Sequence, residues 1–290
     1  MSTVLVAGAS GTAGGAIARY LASLGAFAVH GTRSPRSNGT LPVQAGIEPQ
    51  TADLTDTEAV DGLFNAVKPD VVVSAVMGRG PDGAANERAM AENLIAAAKR
   101  SKVSVFVYIS VFRAETETGI EHFDVKHGIE KRLRASGVPS VIIRPATFMD
   151  SLFSSWFLKS VLDQDMLVSP FAPGTRISYV HTDDIANLVA ATLDDRARWG
   201  QTYTIGGPQA LTIADIQDRL GRHLDKPLGY RRISLPDVRS MRGEPMARMV
   251  EHFNTHDFVV PANDLPPSLD LKLTRFDDLL AREVENGSRT

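Results

Sequence analysis

The stretch that decides the fold stands at the amino end of the chain, where Thr3-Val-Leu-Val-Ala7 is followed by Gly8-Ala-Ser-Gly-Thr-Ala-Gly14. The run from Thr3 to Ala7 is short and largely apolar, which is typical of a strand buried in a parallel sheet. The glycine-rich turn leads into residues 16–24, where Ile17 and Leu21 recur on one face of a helix. This order of strand, turn and helix predicts the first βαβ unit of an α/β fold.

The spacing of the three glycines is G-x-x-G-x-x-G, which differs from the G-x-G-x-x-G fingerprint of dinucleotide-binding folds. Gly8 permits a tight turn, Gly11 lets the backbone approach a pyrophosphate, and Gly14 lets the helix lie close to the sheet. A flexible turn is the alternative interpretation, but the flanking strand and helix favour a dinucleotide site at the helix N-terminus. The contacts predicted from this turn are Gly8, Ser10, Gly11, Thr12, Ala13 and Gly14.

The same alternation of short β-branched runs and helical stretches continues along the chain. Further strands are predicted at residues 27–30, 70–75, 103–110 and 141–144, with helices at 56–67, 84–100, 122–136 and 148–162. We expect an α/β fold, a Rossmann-type doubly wound parallel sheet with a smaller C-terminal substrate lobe. The nucleotide-binding domain is predicted to span residues 1–150, with 175–206 returning to it, and the smaller lobe to comprise 151–174 and 207–290.

Composition limits the classes of function. The absence of cysteine excludes disulfide frameworks and thiolate metal sites, and no metal site is predicted because His252 and His256 lack a third ligand. Lys+Arg 31 against Asp+Glu 34 leaves a net charge of -3, which provides no global basic field for nucleic acid or an anionic membrane. We expect a cytoplasmic protein with no nucleic-acid or membrane partner, and a homo-oligomer is compatible with the sequence.

The end of the second predicted strand indicates which dinucleotide is bound. An acidic residue there would bind the ribose 2′-hydroxyl of NAD, whereas an arginine accommodates the 2′-phosphate of NADP. No Asp or Glu occurs before Glu48, and the strand ends in Thr32-Arg33 with Arg36 close behind. Arg33 therefore predicts NADP(H) in preference to NAD(H), although a solvated loop arginine is the alternative.

Further predicted cofactor contacts follow later strands. Asp53 is predicted to accept from the adenine amino group and Leu54 to pack beside its ring. The alternative role for Asp53 is a helix N-cap, a position that Asp56 fills better. The contacts expected at or just beyond strand ends, where ligand crevices form in parallel sheets, are Ala75, Val76, Ser110 and Phe148, and Lys126, on the helix predicted at 122–136, is a further expected contact.

Several short motifs occur in order over roughly the first 225 residues. They are Val4 to Gly14, Gly31-Thr-Arg33, Ala52-Asp-Leu-Thr55, Phe106-Val-Tyr-Ile-Ser110, Lys126-His-Gly-Ile-Glu130, Ile143-Arg-Pro145 and His181-Thr-Asp-Asp-Ile-Ala186. Together they resemble the NmrA-like group of atypical short-chain dehydrogenase/reductases, and the resemblance weakens after Pro227. It implies either an enzyme that reduces quinones or phenolic compounds, or a regulatory protein that senses NADP(H) without turnover.

The resemblance also assigns the candidate catalytic residues. Typical members of the wider superfamily carry a Tyr four residues before a Lys on one helix, and here His122 stands four residues before Lys126. An imidazole can donate a proton near neutral pH, whereas the alternative is an exposed helix residue. Phe123-Asp-Val-Lys126 resembles the setting of the catalytic lysine in the isoflavone-reductase branch, which implies an ammonium that bonds the nicotinamide ribose or acts as acid and base. The alternative is a surface lysine paired with Glu130.

An aromatic cluster suggests the shape of the substrate. Its members are Phe112, Phe148, Met149, Phe153, Trp156 and Phe157. Such a wall suits a small hydrophobic or aromatic carbonyl compound, although ordinary core packing is the alternative. The sequence thus predicts an NADPH-dependent reductase that transfers hydride to a quinone or enone-like acceptor, with a non-catalytic NADP(H)-sensing regulatory protein as the alternative.

Overall fold

The computed structural model describes residues 1–36, 46–116, 118–261 and 264–287. Its strands are β1 (Ser2–Ala7), β2 (Phe27–Arg33), β3 (Ile47–Thr51), β4 (Val71–Ser74), β5 (Val105–Ile109), β6 (Ser140–Pro145), β7 (Thr147–Phe148), β8 (Met166–Ser169), β9 (Arg176–Val180), β10 (Thr202–Ile205), β11 (Ala210–Thr212) and β12 (Gly229–Arg232). Its α-helices are α1 (Thr12–Ser23), α2 (Thr57–Val67), α3 (Gly83–Ser101), α4 (Glu121–Ser136), α5 (Ser155–Gln164), α6 (Thr182–Asp194), α7 (Ile213–His223), α8 (Leu235–Arg242), α9 (Glu244–Thr255) and α10 (Phe276–Gly287).

The chain divides into two compact units. The first comprises residues 1–145, 182–204 and 265–271, and the second comprises 146–181, 205–264 and 272–290. Within the described parts of both units, no helix is long and apolar enough to cross a membrane.

The first unit is built on a seven-stranded sheet in the order β10-β6-β5-β4-β1-β2-β3. The first six strands of the chain pair in parallel along this sheet. The order runs outward from β1 in both directions, so the chain changes direction between β3 and β4. The neighbouring strands β1 and β4 mark the switch point, and ligands bind in the crevice at such a point. The predicted α/β, doubly wound class is therefore confirmed.

Helices cover this sheet because each presents one apolar stripe. Helix α1 packs against α6, while α2, α3 and α4 pack side by side in chain order. One continuous core joins the second group to the strands, and it includes Leu5, Val72, Phe106, Leu63, Phe64, Leu94, Ile95, Ile129 and Leu133. All nine side chains are buried. Because such a core is closely packed, it holds the strands in place, and with them the strand ends that carry the candidate site.

Local signals at the helix ends behave as predicted. The Asp56 carboxylate accepts from the backbone N–H groups of Glu58 and Ala59 at the start of α2. That helix ends at Val67, and its C-cap residue Lys68 has the left-handed backbone conformation, with φ 50°, directly before Pro69. The residues at the two ends of α2 therefore determine where the helix begins and where it ends.

The second unit contains a three-stranded sheet, β11-β9-β7, and a two-stranded sheet, β12-β8. The continuous helix predicted for residues 148–162 is wrong. Phe148 pairs as a strand with Val180, a 3₁₀ turn spans Met149–Phe153, and α5 begins only at Ser155. Serine hydroxyls explain the interruption, because Ser151 donates to the Phe148 carbonyl and Ser154 to the Ser151 carbonyl, which competes with helical bonding.

Candidate cofactor site

The glycine turn is held in place by close backbone contacts. Gly8 has φ +84°, and a Cβ atom there would lie 2.8 Å from the Ala75 carbonyl oxygen. A Cβ atom at Gly14 would lie 2.2 Å from the carbonyl oxygen of Gly8, so the first turn of α1 rests directly on the loop. The Gly8 N–H also donates to the buried Thr32 hydroxyl at 3.0 Å. The turn is thus fixed between the ends of β1, β2 and β4.

The N-terminus of α1 offers its backbone N–H groups to a ligand. Its N-cap is Gly11, no side chain caps the helix, and the first turn contains no acidic residue. The first N–H groups of a helix lack intrahelical partners and carry the positive end of the helix dipole. This arrangement fits a diphosphate, as the glycine pattern predicts.

Exposed charges border the turn at the ends of β2 and β3. The Arg33 side chain is exposed, and its Nε donates to the Thr51 hydroxyl at 3.3 Å. Arg36 is 85% exposed and lies 3.2 Å from the Asp53 carboxylate, which is 28% exposed. Both guanidinium groups are accessible to an anionic ligand.

Asp53 is held by its own loop. Its Oδ1 accepts from the Thr55 hydroxyl at 2.6 Å and from the Thr55 N–H at 3.1 Å. These bonds, with a smaller contribution from Arg36, hold the pKa of the Asp53 carboxyl below its usual value. The neighbouring Leu54 side chain is buried in the core, and the Leu54 carbonyl accepts from Asn93.

A buried cluster lies at the ends of β4 and β5. Lys126 is 5% exposed, and its Nζ is 2.9 Å from an oxygen of Glu87, which is 4% exposed. The same ammonium donates to the backbone carbonyls of Val76 and Ile109, at 3.4 and 3.3 Å. The alternative of a surface lysine paired with Glu130 is wrong, because Lys126 is buried and its carboxylate partner comes from α3.

Glu130 forms a second buried cluster on the same helix. It is fully buried, accepts from the Ser110 hydroxyl at 2.6 Å, and receives two bonds from Arg144 at 2.9 and 2.6 Å. Arg134 adds a third charged donor at 3.3 Å. Although burial raises the pKa of Glu130, the bonds from Arg144 and Ser110 outweigh it and lower the pKa overall. The Ser110 hydroxyl therefore has its proton committed to Glu130.

His122 is half-buried on α4, so the alternative of an exposed helix residue is wrong. Burial lowers the pKa of His122 from 6.5 to about 4, the ammonium of Lys126 lowers it too, and Glu87 opposes them. The imidazole is therefore neutral at neutral pH and holds no second ring proton to donate. Tyr108, on β5, is fully buried, and burial with the charges of Glu87 and Glu130 raises its pKa well above the usual value.

The first unit brings nearly all the predicted cofactor residues to one edge of its sheet. The residues of the glycine turn lie at this edge, with Arg33 at the end of β2 and the predicted residues that follow β3, β4 and β5. Lys126 lies there too. Phe148 lies on β7 in the second unit. Of the predicted aromatic wall, Phe112 belongs to the first unit and the others to the second, and the side chain of Trp156 lies outside the described residues. Their contacts with a ligand stay predictions.

Sequence reasoning missed Glu87 and Arg144. A signal for Glu87 existed, because it falls on the same helical stripe as Ala91, Leu94 and Ala98, all of which are buried. A carboxylate in line with an apolar stripe is rarely buried without a partner. Arg144, within β6, gave no comparable signal. Among the described residues there is no group of three or more His, Asp or Glu side chains that could hold a metal ion.

Comparisons with known proteins show the family and the fold of the chain. A family model described as the NmrA-like family matches residues 1–279. The (4-alkanoyl-5-oxo-2,5-dihydrofuran-3-yl)methyl phosphate reductase of Streptomyces griseus subsp. griseus is 27% identical over 240 residues, 82% of this chain and 79% of that protein. The NAD(P)H azoreductase of Xenophilus azovorans is 24% identical over 238 residues, 81% of this chain and 79% of that protein. The solved structure of an Escherichia coli NADPH-dependent quinone oxidoreductase complexed with NADPH has a TM-score of 0.77 at 19% identity. The match covers 96% of this chain and 99% of that one, and it shows a shared fold.

Proposed function

Because this chain belongs to the NmrA-like family, we propose that it is an NAD(P)H-dependent reductase that prefers NADPH and passes hydride to a flat hydrophobic carbonyl acceptor, such as a quinone or an enone. The observation that carries this proposal is the grouping of three features at the carboxyl ends of parallel strands. They are a glycine turn with free helix N–H groups, an exposed arginine at the end of β2 and a buried lysine beside β4 and β5. The similar reductases support the reaction class.

Each of the three features suits one part of the cofactor. The N–H groups at the start of α1 would hold the diphosphate, and Arg33 would pair with the 2′-phosphate through its planar fork. Lys126 lies where its ammonium would face the nicotinamide ribose. When bound, the reduced nicotinamide supplies the hydride, and the residues of this chain bind and orient it.

The proton requirement selects the acceptor class. Reduction of a carbonyl compound consumes one proton besides the hydride, and the neutral imidazole of His122 is a poor acid. The Lys126 ammonium donates to two backbone carbonyls and forms an ion pair with the Glu87 carboxylate. A quinone fits such a site, because its reduced anion is a weakly basic phenolate that takes a proton from water. A simple ketone would leave a strongly basic alkoxide, which needs a positioned acid.

The test is acceptor-dependent oxidation of NADPH, followed by loss of nicotinamide absorbance with a panel of quinones, enones and aldehydes. We expect turnover with quinones first, and we expect Lys126→Met to lower it at least about tenfold. Lys131→Met, an exposed lysine on the same helix, is the matched control and should match the parent. Tight NADPH binding with no acceptor-dependent oxidation would contradict the reductase and favour the NADP(H)-sensing alternative.

A further inference from the structure

The geometry points to Glu87 as a positioning residue for this reaction, acting through Lys126 and through the loop that follows β4. The inference rests on the proposed function, because it assigns a role within the same site. Glu87 lies in the second turn of α3 and is 4% exposed. A carboxylate is buried to this degree only when another group compensates its charge.

The two oxygens of Glu87 contact two different parts of the site. Oε1 lies 2.9 Å from the Lys126 ammonium, and Oε2 accepts from the Gly78 N–H at 3.1 Å. One side chain therefore joins helix α4, which carries the lysine, to the loop after β4. That loop includes Val76, a predicted cofactor contact, whose carbonyl also accepts from Lys126.

Gly78, in the loop after β4, packs closely against the start of α3. A Cβ atom at Gly78 would lie 1.7 Å from the Gly83 carbonyl oxygen and 3.0 Å from the backbone nitrogen of Glu87. The loop thus folds back onto the start of α3, with Glu87 bonding across the fold. The position of Val76, a predicted cofactor contact in this loop, therefore depends on the bond between Glu87 and Gly78.

Charge explains why a carboxylate stands at position 87. The ammonium of Lys126 is buried, and its other two partners are neutral carbonyl groups. Without the Glu87 carboxylate, which lies 2.9 Å from it, the buried ammonium would keep only neutral carbonyl partners, and an uncompensated buried charge is costly enough to displace the side chain. Glu87 therefore keeps a charged Lys126 directed at the ends of β4 and β5, where the nicotinamide ribose is proposed to lie.

The decisive experiment is a double-mutant cycle on kcat for NADPH oxidation with a quinone. Glu87→Gln preserves the shape of the side chain and removes its charge, and it should lower kcat about tenfold to a hundredfold by misplacing Lys126. The KM for the quinone should change less than about threefold, because the acceptor does not contact position 87. In a Lys126→Met background the same substitution should change kcat less than about twofold, because the glutamine amide oxygen can still accept from the Gly78 N–H and the lysine that the lost charge positions is absent.

Glu92→Gln is the matched control, because Glu92 stands on the same helix in an exposed pair with Arg132. Equal losses of kcat from Glu87→Gln in both backgrounds would overturn the inference, as would a Glu87→Gln enzyme that matches the control. If Glu87→Gln alone fails to fold, the Glu87→Gln/Lys126→Met protein is compared with Lys126→Met, and a tenfold difference in kcat again overturns it. A parent protein that shows no turnover would instead overturn the proposed function.

Discussion

Two charged regions border the carboxyl ends of the same sheet, and they differ in exposure. Beside β2 and β3, Arg33 and Arg36 face solvent, and Arg36 pairs with a partly exposed Asp53. Beside β4 and β5, the charges of Lys126 and Glu130 are buried; Lys126 pairs with the buried Glu87, and Glu130 is bonded to the partly buried Arg144.

This difference separates recognition from orientation. Exposed ion pairs are screened by water and contribute little to stability, so their side chains can turn toward a ligand phosphate at small cost. Buried pairs hold their geometry because losing one partner leaves an unpaired charge in the core. The first region therefore suits selection of the cofactor, and the second suits fixed placement of its reactive end.

The largest expected effect comes from breaking the buried region at Glu130. Glu130→Ala removes the acceptor for Ser110, Arg144 and Arg134, and it should lower the free energy of unfolding by about 3–5 kcal/mol. Urea unfolding at neutral pH measures this loss. The exposed carboxylate Glu92, changed to Ala, should cost less than about 1 kcal/mol, and equal losses at the two positions would erase the distinction between the regions.

The next largest effect is a loss of stability in acid, which arises from His122 in the buried region. His122 has a folded pKa of about 4 against an ordinary 6.5, so between these pH values the unfolded chain binds a proton that the folded protein does not. The free energy of unfolding should therefore fall as pH drops from 6.5 toward 4, by about 1–3 kcal/mol from this residue. His122→Gln should remove that part of the pH dependence, whereas the exposed His223→Gln should retain it; identical curves for both variants would contradict the assignment.

Cofactor selection tests the exposed region. Arg33→Ala should weaken NADPH binding about tenfold to a hundredfold and leave NADH nearly unchanged, because only NADPH carries the 2′-phosphate. Binding is followed by nucleotide fluorescence. Arg100→Ala, an exposed arginine at the far end of α3, is the control. If Arg33→Ala binds both nucleotides as the parent does, another residue reads the phosphate.

The smallest effect is expected at Arg36. Arg36→Ala breaks an exposed ion pair with Asp53 and should change the free energy of unfolding by less than about 0.5 kcal/mol. The comparison with Glu130→Ala uses the same urea assay. A loss above 2 kcal/mol would mean that the exposed region is structurally as rigid as the buried one.

Local chemistry explains what the sequence could predict. The glycine turn, the Asp56 cap and the apolar stripes of the helices act over a few residues, so they identify the fold and the phosphate end of the site. The confirmed sheet follows from the alternation of such elements. The interrupted helix at 148–162 shows the limit of this reasoning, because serine side chains and a distant strand partner overrode its apolar pattern.

The buried charges were beyond local reasoning. Lys126 and Glu130 stand four residues apart on α4 and predict an ordinary helix pair. In the structure each turns to a distant partner, Glu87 on α3 and Arg144 on β6. Spacing along one helix does not reveal which buried charges the fold brings together, and burial rather than sequence distance decides the pairing.

The most direct test of the account is a titration of the purified protein with NADPH, followed by nucleotide fluorescence and calorimetry. The account predicts one NADPH per chain with a dissociation constant below about 100 μM, and weaker binding of NADH. A protein that binds neither nucleotide under these conditions would contradict it.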